Sequence, residues 1–252
     1  MVAIRFKAKF KSNDFTRFAC LKGAHVVVAD IDCAGAEETS QIIQSSGGHC
    51  KAITVDVSSL DSVKEMVATA VEFLGGGCID IVVNNAAAFV FGKVEEVSRE
   101  DWDRVLGVNV IGASNVVTSS LPYLKQSASP SVVNISSVCG FRARPGFVPY
   151  GTSKAALLQM SRCLATDLAR YNIRVNSVCP GTILTPALDK DIAHRGVGRE
   201  KYLEEASKSI LLKRVGTTDE VGKAVMFLAS KDASFITGAE LVVDGGASIG
   251  EQ

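Results

Sequence analysis

The chain has 252 residues, of which 47% are hydrophobic, and its 27 Lys and Arg residues balance 27 Asp and Glu residues. The balanced charge argues against nucleic acid and an anionic membrane surface as partners. No segment approaches about 18 uninterrupted apolar residues, the length that predicts a membrane span. The high apolar fraction fits a sheet that is buried on both faces.

Cysteine and histidine usage predicts neither disulfides nor a metal site. The seven cysteines are scattered without a C-x-x-C pair, which indicates a reducing compartment. His25, His49 and His194 lie far apart in sequence. The N-terminus has no apolar signal region, and its basic stretch alternates with period two, unlike the helix of a mitochondrial presequence. We therefore expect a cytoplasmic protein without a bound metal.

Short apolar runs alternate with longer helical patterns along the chain. The runs predict strands at His25–Asp30, Lys51–Val57, Ile79–Ala87, Ser131–Ser137, Ile173–Gly181 and Ala239–Gly246. The segments between them predict helices at Asp32–Gly48, Ser58–Leu74, Ser98–Lys125, Tyr150–Tyr171 and Thr218–Ala229. A polar stretch precedes the last of these helices.

Strands that alternate with helices indicate βαβ crossovers and a parallel sheet. The right-handed crossover rule then favours an α/β fold of the Rossmann type. This is a single domain, residues 1–252, with a doubly wound parallel sheet and helices on both faces. Ligands of such sheets bind outside the carboxyl ends of the strands. The residues expected there are Asp30, Asp56, Asn84–Ala87, Ser136–Ser137 and Pro180–Gly181.

A tyrosine and a lysine begin the predicted helix that follows Ser137. Tyr150 and Lys154, in YGTSK, are one helical turn apart and share one face of the helix. This spacing alone is weak, because it also describes a solvated aromatic–cation pair. Three features favour a functional site: Ser137 at a strand end, NNA at the end of the strand before it, and Asn109 inside a predicted helix.

These motifs together resemble the short-chain dehydrogenase/reductase family, from about Arg17 to Ser248. The matching pieces are HVVVAD, VDVS, DIVVNNA, VNV, VVNISSVCG, YGTSKAAL, IRVNSVCPGTILTP and ITGAELVVDGG. The resemblance implies that Ser137, Tyr150 and Lys154 form the catalytic group and that Asn109 is its fourth member.

The chemistry of these side chains agrees with the implied roles. A phenol with a pKa of about 10 is a poor base at pH 7, and the ammonium group of Lys154 is expected to lower the pKa of Tyr150. Tyr150 would pass a proton to or from the substrate oxygen, and Ser137 would hydrogen-bond that oxygen. Lys154 would also bind the nicotinamide ribose hydroxyls, and Asn109 would hold a water that links Lys154 to solvent.

Asp30 favours NAD over NADP as the cofactor. A carboxylate at this strand end accepts from the adenosine 2′-hydroxyl and repels a 2′-phosphate. A loop carboxylate or a helix N-cap is the alternative, and Asp32 could share the task or cap the next helix. The resemblance implies further cofactor contacts by Asp56, Val57, Asn85, Ala86, Tyr150, Lys154, Pro180, Gly181, Thr182 and Thr185.

The N-terminus departs from the family pattern, so that the first strand and the phosphate loop are atypical. The family opens with a buried strand, a T-G-x-x-x-G-x-G loop and a helix that holds the pyrophosphate. The corresponding stretch here, IRFKAKFKSND from Ile4 to Asp14, has no glycine. The expected glycine positions can be counted back from KGAHVVVAD or forward from VAI. The two counts differ by one residue.

Three explanations for this stretch remain open. The alternating apolar and basic residues could form a half-exposed antiparallel edge strand, since a central strand would bury several ammonium groups. The lysines could instead lie along the cofactor and attract its phosphates as point charges. Alternatively, a frameshift, an alternative exon or a mispredicted start altered residues 5–16, which the one-residue offset favours. The coding frame in genomic DNA and transcript distinguishes the third explanation from the others.

The sequence thus predicts an oxidoreductase that transfers a hydride between NAD(H) and an alcohol or ketone, with Tyr150 as general acid/base. The alternative is a catalytically silent Rossmann-type protein that cannot hold its dinucleotide and acts as a binding or assembly partner. Residues 182–215 are expected to cover the substrate, and the candidates include a small secondary alcohol, a sugar, a steroid and a 3-oxoacyl thioester. The resemblance implies a homotetramer or homodimer.

Overall fold

A parallel β-sheet forms the centre of the molecule. A computed structural model describes residues 2–6, as backbone, and residues 24–250. The strands of this described part are β1 (Val2–Phe6), β2 (His25–Asp30), β3 (His49–Thr54), β4 (Ile81–Asn84), β5 (Ser131–Ile135), β6 (Arg174–Pro180) and β7 (Glu240–Val243). Their order is β3-β2-β1-β4-β5-β6-β7, and all neighbours are parallel. The order reverses between β1 and β4, which confirms the doubly wound Rossmann-type fold.

Helices cover both faces of the sheet. Within the described residues they are α1 (Cys33–Ser45), α2 (Leu60–Phe73), α3 (Arg99–Leu106), α4 (Ala113–Leu124), α5 (Val148–Leu168), α6 (Pro186–Arg195), α7 (Arg199–Lys208) and α8 (Thr218–Ala229). Consecutive strand residues point to opposite faces. Val27 and Val82 therefore pack with α2, α4 and α5, whereas Val26 and Val28 pack with α1 and α8. The strand sequences are nearly continuous apolar runs because both faces of the sheet are buried.

The strands end earlier than their apolar runs predicted. β2 has the predicted bounds, but β4 ends at Asn84 and β5 at Ile135. The strand predicted over Lys51–Val57 is His49–Thr54. In each case the last residues of the run leave the sheet and lie at its carboxyl edge. The predicted strand ends were therefore wrong by a few residues, and the residues concerned are those that line the site.

The first strand is central in the sheet. Ile4 of β1 is paired with Val27 of β2 on one side and with Val82 of β4 on the other, both in parallel. The interpretation of this stretch as an antiparallel edge strand is therefore wrong for residues 2–6. The lysines at positions 7, 9 and 11, and the segment where the glycine-rich loop was expected, lie outside the described residues.

A π-helical turn interrupts the long helix that was predicted over Ser98–Lys125. The turn spans Gly107–Gly112 between α3 and α4 and contains the buried Asn109. Such turns occur frequently at functional sites. By length and composition alone, the run Arg99–Leu124 could cross a membrane. Helices that pack in the core of a domain also pass that test, and α4 contributes buried residues to the core.

Two helices lie in the polar stretch after β6, where the sequence predicted none. α6 and α7 fall within residues 182–215 and contact each other through Leu188, Ile192 and Tyr202. Both helices contribute residues to a cleft at the carboxyl edge of the sheet. That residues 182–215 cover a substrate stays a prediction.

His25 and His49 are distant in sequence but begin neighbouring strands, and their rings stack with centroids 4.6 Å apart. They lie at the amino end of the strands, away from the edge where doubly wound sheets bind ligands. Among the described residues, no group of three or more His, Cys, Asp or Glu could hold a metal ion. The six cysteines in that part of the chain are free thiols.

Candidate active site

The three predicted catalytic side chains meet at the carboxyl edge of the sheet. Ser137 follows β5, and Tyr150 and Lys154 lie near the start of α5; each is at most 8% exposed. Gly140 allows the turn after Ser137 to pack directly on α5. A Cβ at Gly140 would lie 2.8 Å from the Leu158 side chain and 3.0 Å from the Lys154 backbone. Gly140 therefore sets the distance between Ser137 and the helix, a role that sequence reasoning missed.

The side chains of Ser137 and Tyr150 both line the larger cleft at the carboxyl edge of the sheet. Ser137 Oγ accepts the backbone N–H of Cys139 at 3.1 Å, which fixes its orientation. An oxygen atom of a small molecule could therefore be held between two hydroxyl groups at this point.

Burial raises the pKa of Tyr150 above its ordinary value, and the neighbouring Cys139 acts in the same direction. The neighbouring Ser137 hydroxyl lowers the pKa of Tyr150, but by less than burial raises it. Lys154 Nζ lies 5.7 Å from the centre of the Tyr150 ring. The predicted lowering of the Tyr150 pKa by Lys154 is not found in this arrangement. The phenol is therefore protonated at neutral pH.

Lys154 is a buried ammonium group, 2% exposed. Its Nζ donates to the carbonyl oxygen of Ile135 at 2.8 Å, and Ser136 Oγ donates to the Lys154 carbonyl at 2.9 Å. Loss of solvent lowers the pKa of Lys154 to about 8. The group therefore carries its charge at pH 7 inside the protein. A solvated aromatic–cation pair, the alternative considered for Tyr150 and Lys154, is wrong because both residues are buried.

Asn109 binds other parts of the protein with its side chain. Its Oδ1 accepts the Ala88 N–H at 2.7 Å, and its Nδ2 donates to the Ala88 carbonyl at 3.1 Å and to Ser153 Oγ at 2.9 Å. Ser153 Oγ in turn donates to the Tyr150 carbonyl at 2.7 Å. Asn109 thus joins the loop after β4 to the turn that carries Tyr150. These bonds give Asn109 a positioning role, and its predicted role of holding a water stays a prediction.

Two adjoining clefts run along the carboxyl edge of the sheet. The larger, of about 550 Å³, contains Ser137, Tyr150 and Lys154. The smaller, of about 310 Å³, contains Asp30 and Asp56. Ala87, Phe89, Phe91 and Ala187 line both clefts. One elongated ligand could therefore reach from the carboxylates to the Tyr–Lys pair, outside the strand ends as expected for this fold.

Three carboxylates line the smaller cleft. Asp30 ends β2, is 4% exposed, and accepts the Asp32 N–H at 3.0 Å. Asp32 accepts the Gly35 N–H at 3.2 Å and is the N-cap of α1. Asp56 accepts from the N–H and hydroxyl of Ser58 at 2.9 and 2.6 Å. Of the two acids after β2, Asp32 is therefore the N-cap of α1. Asp30 lines the smaller cleft at the end of the strand.

The loop after β4 presents polar and small residues to both clefts. Asn85 Nδ2 is shielded from solvent and has no hydrogen-bond partner among the described residues. Asn85 lines the larger cleft, and Ala86 lines the smaller one together with Val57. A buried donor without an acceptor costs about 1–3 kcal/mol. An acceptor atom on a bound ligand would remove that cost.

The turn after β6 forms the far wall of the larger cleft. The residues predicted there all line it: Pro180, Gly181, Thr182 and Thr185. A Cβ at Gly181 would lie 2.6 Å from Asp244 Cβ and 2.9 Å from Asp244 Cα. Glycine is thus required where the turn crosses the end of β7. The hydroxyl of Thr185 accepts the Leu188 N–H at 3.2 Å and caps α6.

Aromatic side chains that sequence reasoning missed form one wall of the larger cleft. Phe89 stacks on Tyr150 with ring centroids 4.5 Å apart and planes at 19°. Phe147 meets Tyr150 edge-on at 6.0 Å, and Phe91 meets Phe147 edge-on at 5.2 Å. The available signal was their position, because Phe89 and Phe91 follow NNA closely and Phe147 precedes Tyr150 by one helical turn.

A doubly wound parallel sheet with a buried serine, tyrosine and lysine beside a carboxylate-lined cleft defines a Rossmann-type oxidoreductase. The chain belongs to the short-chain dehydrogenase/reductase family, whose members bind NAD or NADP. The family model described as enoyl-(acyl carrier protein) reductase matches residues 16–248. The resemblance noted from about Arg17 to Ser248 is thereby confirmed.

Similar proteins include several named oxidoreductases. The chain is 36% identical over 228 residues to 3-oxoacyl-(acyl-carrier-protein) reductase FabG of Thermotoga maritima, covering 90% of this chain and 89% of that protein. It is 37% identical over 226 residues to dehydrogenase/reductase SDR family member 4 of Homo sapiens, with coverages of 89% and 78%. The crystal structure of actinorhodin polyketide ketoreductase with NADPH superposes with a TM-score of 0.93, at 27% identity, covering 99% and 97%. That structure contains NADPH.

Proposed function

We propose that the protein transfers a hydride between NAD(H) and an alcohol or ketone, with Tyr150 as general acid/base. The observation that carries this proposal is the buried Ser137–Tyr150–Lys154 group in a cleft continuous with the one that contains Asp30. One similar structure is that of a ketoreductase, which supports the proposed reaction.

The described residues fit a nicotinamide dinucleotide. Asp30 would accept from the adenosine ribose hydroxyls, and the unpaired Nδ2 of Asn85 would donate to a cofactor oxygen. Lys154 would donate to the second ribose from its place beneath the larger cleft. When bound, the nicotinamide supplies or accepts the hydride. The residues that face the pyrophosphate in the family pattern fall among positions 7–23, outside the described residues.

Tyr150 is arranged to donate a proton to a carbonyl oxygen. Because burial keeps the phenol protonated, it can hydrogen-bond the carbonyl oxygen and transfer its proton as negative charge develops there. Ser137 donates a second hydrogen bond to the same oxygen and thereby orients the carbonyl. The positive charge of Lys154 stabilises the tyrosinate that remains.

Titration of the purified protein with NADH, followed by nicotinamide fluorescence, tests this function. We expect saturable binding and oxidation of NADH when a ketone is added. The catalytically silent alternative predicts no saturable binding at millimolar NADH. It is favoured by the missing glycines between Ile4 and Asp14. If binding is absent, restoring a T-G-x-x-x-G-x-G segment should recover it, because the described parts of both clefts remain unchanged.

Asp30 is expected to select NAD over NADP. A 2′-phosphate about 4 Å from the carboxylate would meet a repulsion on the order of 4 kcal/mol at an effective dielectric constant of about 20. Arg104 and Lys190 also line this cleft and would attract a 2′-phosphate, so that the preference reflects their balance with Asp30. We expect Asp30→Ser to lower the ratio of NAD to NADP efficiency by about 10- to 1,000-fold.

Asp61→Ser is the matched control for this measurement, because Asp61 is an exposed carboxylate on α2 that pairs with Lys64 at 3.0 Å. It should leave the ratio unchanged. An unchanged ratio in Asp30→Ser as well would show that Asp30 has no part in cofactor selection.

We also propose a homodimer or homotetramer in the cytoplasm. Phe227 on α8 and Val242 on the edge strand β7 are exposed apolar residues, 41% and 39% accessible. Exposed apolar groups along a strand edge support association with a second copy. Sedimentation equilibrium at micromolar concentration tests this proposal, and a purely monomeric species would reject it.

A further inference from the structure

The larger cleft has an aromatic wall directly beside the reacting tyrosine. Phe89 covers one face of the Tyr150 ring in a stacked arrangement, and Phe147 contacts its edge. Phe91 extends this wall through contacts with Phe89 at 6.3 Å and Phe147 at 5.2 Å. The three phenylalanines form one continuous surface, which we call the aromatic wall.

Aliphatic side chains line the rest of the same cleft. Ile183, Leu188 and Ile210 are each at most 8% exposed and lie on the segments after β6. A substrate in the cleft therefore has an aromatic surface on one side and aliphatic groups among its other contacts. The cleft of about 550 Å³ has to hold the nicotinamide as well as the substrate, and the apolar walls line the part that remains for the substrate.

The charged groups that line the cleft are already paired within the protein. Arg144 donates to Asp191 at 3.4 Å and to the Tyr202 hydroxyl at 2.8 Å, and that hydroxyl donates to Asp191 at 2.9 Å. Arg142 donates to the Ala247 carbonyl. Among the described residues that line the cleft, each arginine therefore already has a hydrogen-bond partner within the protein.

Lys154 and Glu205 complete the set of charged groups. Lys154 donates to the Ile135 carbonyl, and exposed Glu205 lies 4.0 Å from Lys201. An anionic substrate would have to lose its hydration without gaining a dedicated ion pair, which is costly. A neutral substrate carries no such cost.

We propose that this cleft selects neutral substrates with a flat apolar ring next to the reacting carbonyl or carbinol, and that Phe89, Phe91 and Phe147 determine this specificity. The inference rests on the proposed function, because it names the substrate class of the same site. Stacking of a substrate ring on the aromatic wall would orient its carbonyl toward Tyr150 and Ser137.

Three ketones and NADH test the proposal on the full-length protein. The probes are 2-tetralone, a neutral bicyclic ketone, ethyl acetoacetate, a neutral linear 3-oxo ester, and acetoacetate, its anionic counterpart. We expect kcat/KM for 2-tetralone to exceed that for ethyl acetoacetate by about 10-fold or more, because even one methylene in an apolar pocket changes efficiency by about 10- to 200-fold. Acetoacetate should be the poorest of the three substrates.

Phe91→Leu separates ring recognition from catalysis, since Phe91 contacts the other two rings of the wall and has no ring contact with Tyr150 among the described residues. It should lower the ratio of 2-tetralone to ethyl acetoacetate efficiency by about 5-fold or more, mainly through KM. Phe235→Leu is the matched control, because Phe235 is fully exposed. It should leave the ratio unchanged.

Asp191→Asn tests the charge argument. The change keeps the shape of the side chain but removes the partner charge of Arg144, so that the efficiency with acetoacetate should rise relative to the neutral ester. If linear and cyclic ketones are reduced equally, or if neither variant changes its ratio, the substrate proposal fails while the proposed function stands. If NADH binds to the protein but none of many ketones and alcohols reacts, the proposed function fails, and the substrate proposal fails with it.

Discussion

A Tyr150→Phe variant is expected to lose about 10²- to 10⁴-fold in kcat for ketone reduction, the usual contribution of a positioned acid or base. The ring of Tyr150 packs between Phe89 and Phe147, and phenylalanine keeps those contacts. The substitution removes the hydroxyl that shares the cleft with Ser137. The loss should therefore fall on kcat with little change in NADH affinity. Single-turnover reduction at saturating NADH measures it.

Tyr171→Phe is the matched control for this loss. Tyr171 ends a short 3-10 turn after α5, where Lys125 lies over its ring, away from the clefts. It should keep full activity. Retention of more than about a tenth of kcat in Tyr150→Phe would contradict a role of Tyr150 as proton donor, since general acid–base catalysis contributes at least about 10²-fold.

The architecture could be predicted because its main signals are local. Alternating strand and helix patterns indicate a parallel sheet, and nearly continuous valine runs such as HVVVAD indicate strands that are buried on both faces. α8 has its predicted bounds for a local reason as well. Thr217 and Glu220 form a capping box at its start, each bonding the backbone of the other.

The position of β1 could not be predicted because it depends on distant partners. Taken alone, the pattern around Ile4 suits an exposed edge. Its central place in the sheet follows from its parallel pairing with β2 on one side and β4 on the other. α6 and α7 were missed for a related reason. Their sequences are mostly polar, and the apolar contacts that hold them arise between the two helices.

The site was predicted in outline and missed in detail. The rule that ligands bind at carboxyl strand ends led directly to Asp30, Ser137 and the loop after Asn84. The position of each side chain within the clefts depends on contacts between distant segments. The bonds of Asn109 to Ala88 and Ser153 link two distant segments, whereas its predicted role of holding a water stays a prediction. No local pattern shows such a link.

The pKa of Tyr150 illustrates the same limit. Spacing on a helix brings Lys154 near Tyr150, and an adjacent charge lowers the pKa of a phenol. The sequence does not show how deeply both groups are buried. Burial opposes the charged form of each, so that it raises the pKa of Tyr150 and lowers that of Lys154. The depth of the site decides which effect dominates.

Lys154→Met is expected to stabilise the cofactor-free protein at pH 7. The pKa of Lys154 is about 8 in the folded protein against 10.5 for the ordinary group. Between these values the unfolded chain binds more protons, so that stability rises with pH through this window. Below pH 8 both states are protonated, and the cost of the buried charge is fully present. It amounts to about 3 kcal/mol at 1.36 kcal/mol per pKa unit.

Methionine has a similar length and removes this cost, but it also removes the hydrogen bond to the Ile135 carbonyl, worth about 1 kcal/mol. We expect a net gain of about 1–2 kcal/mol in the free energy of unfolding at pH 7. The gain should disappear toward pH 10.5. Urea unfolding at both pH values measures it, and Lys64→Met, an exposed lysine on α2, is the control.

A variant that is less stable than the parent protein at both pH values would show that Lys154 contributes to folding and is not a cost to it. The predicted result has a different meaning. Lys154→Met should lose ketone reductase activity while it gains stability, because the charge is buried at the point where it can stabilise a tyrosinate. Active sites often contain a charged group that lowers the stability of the fold but is needed for the reaction.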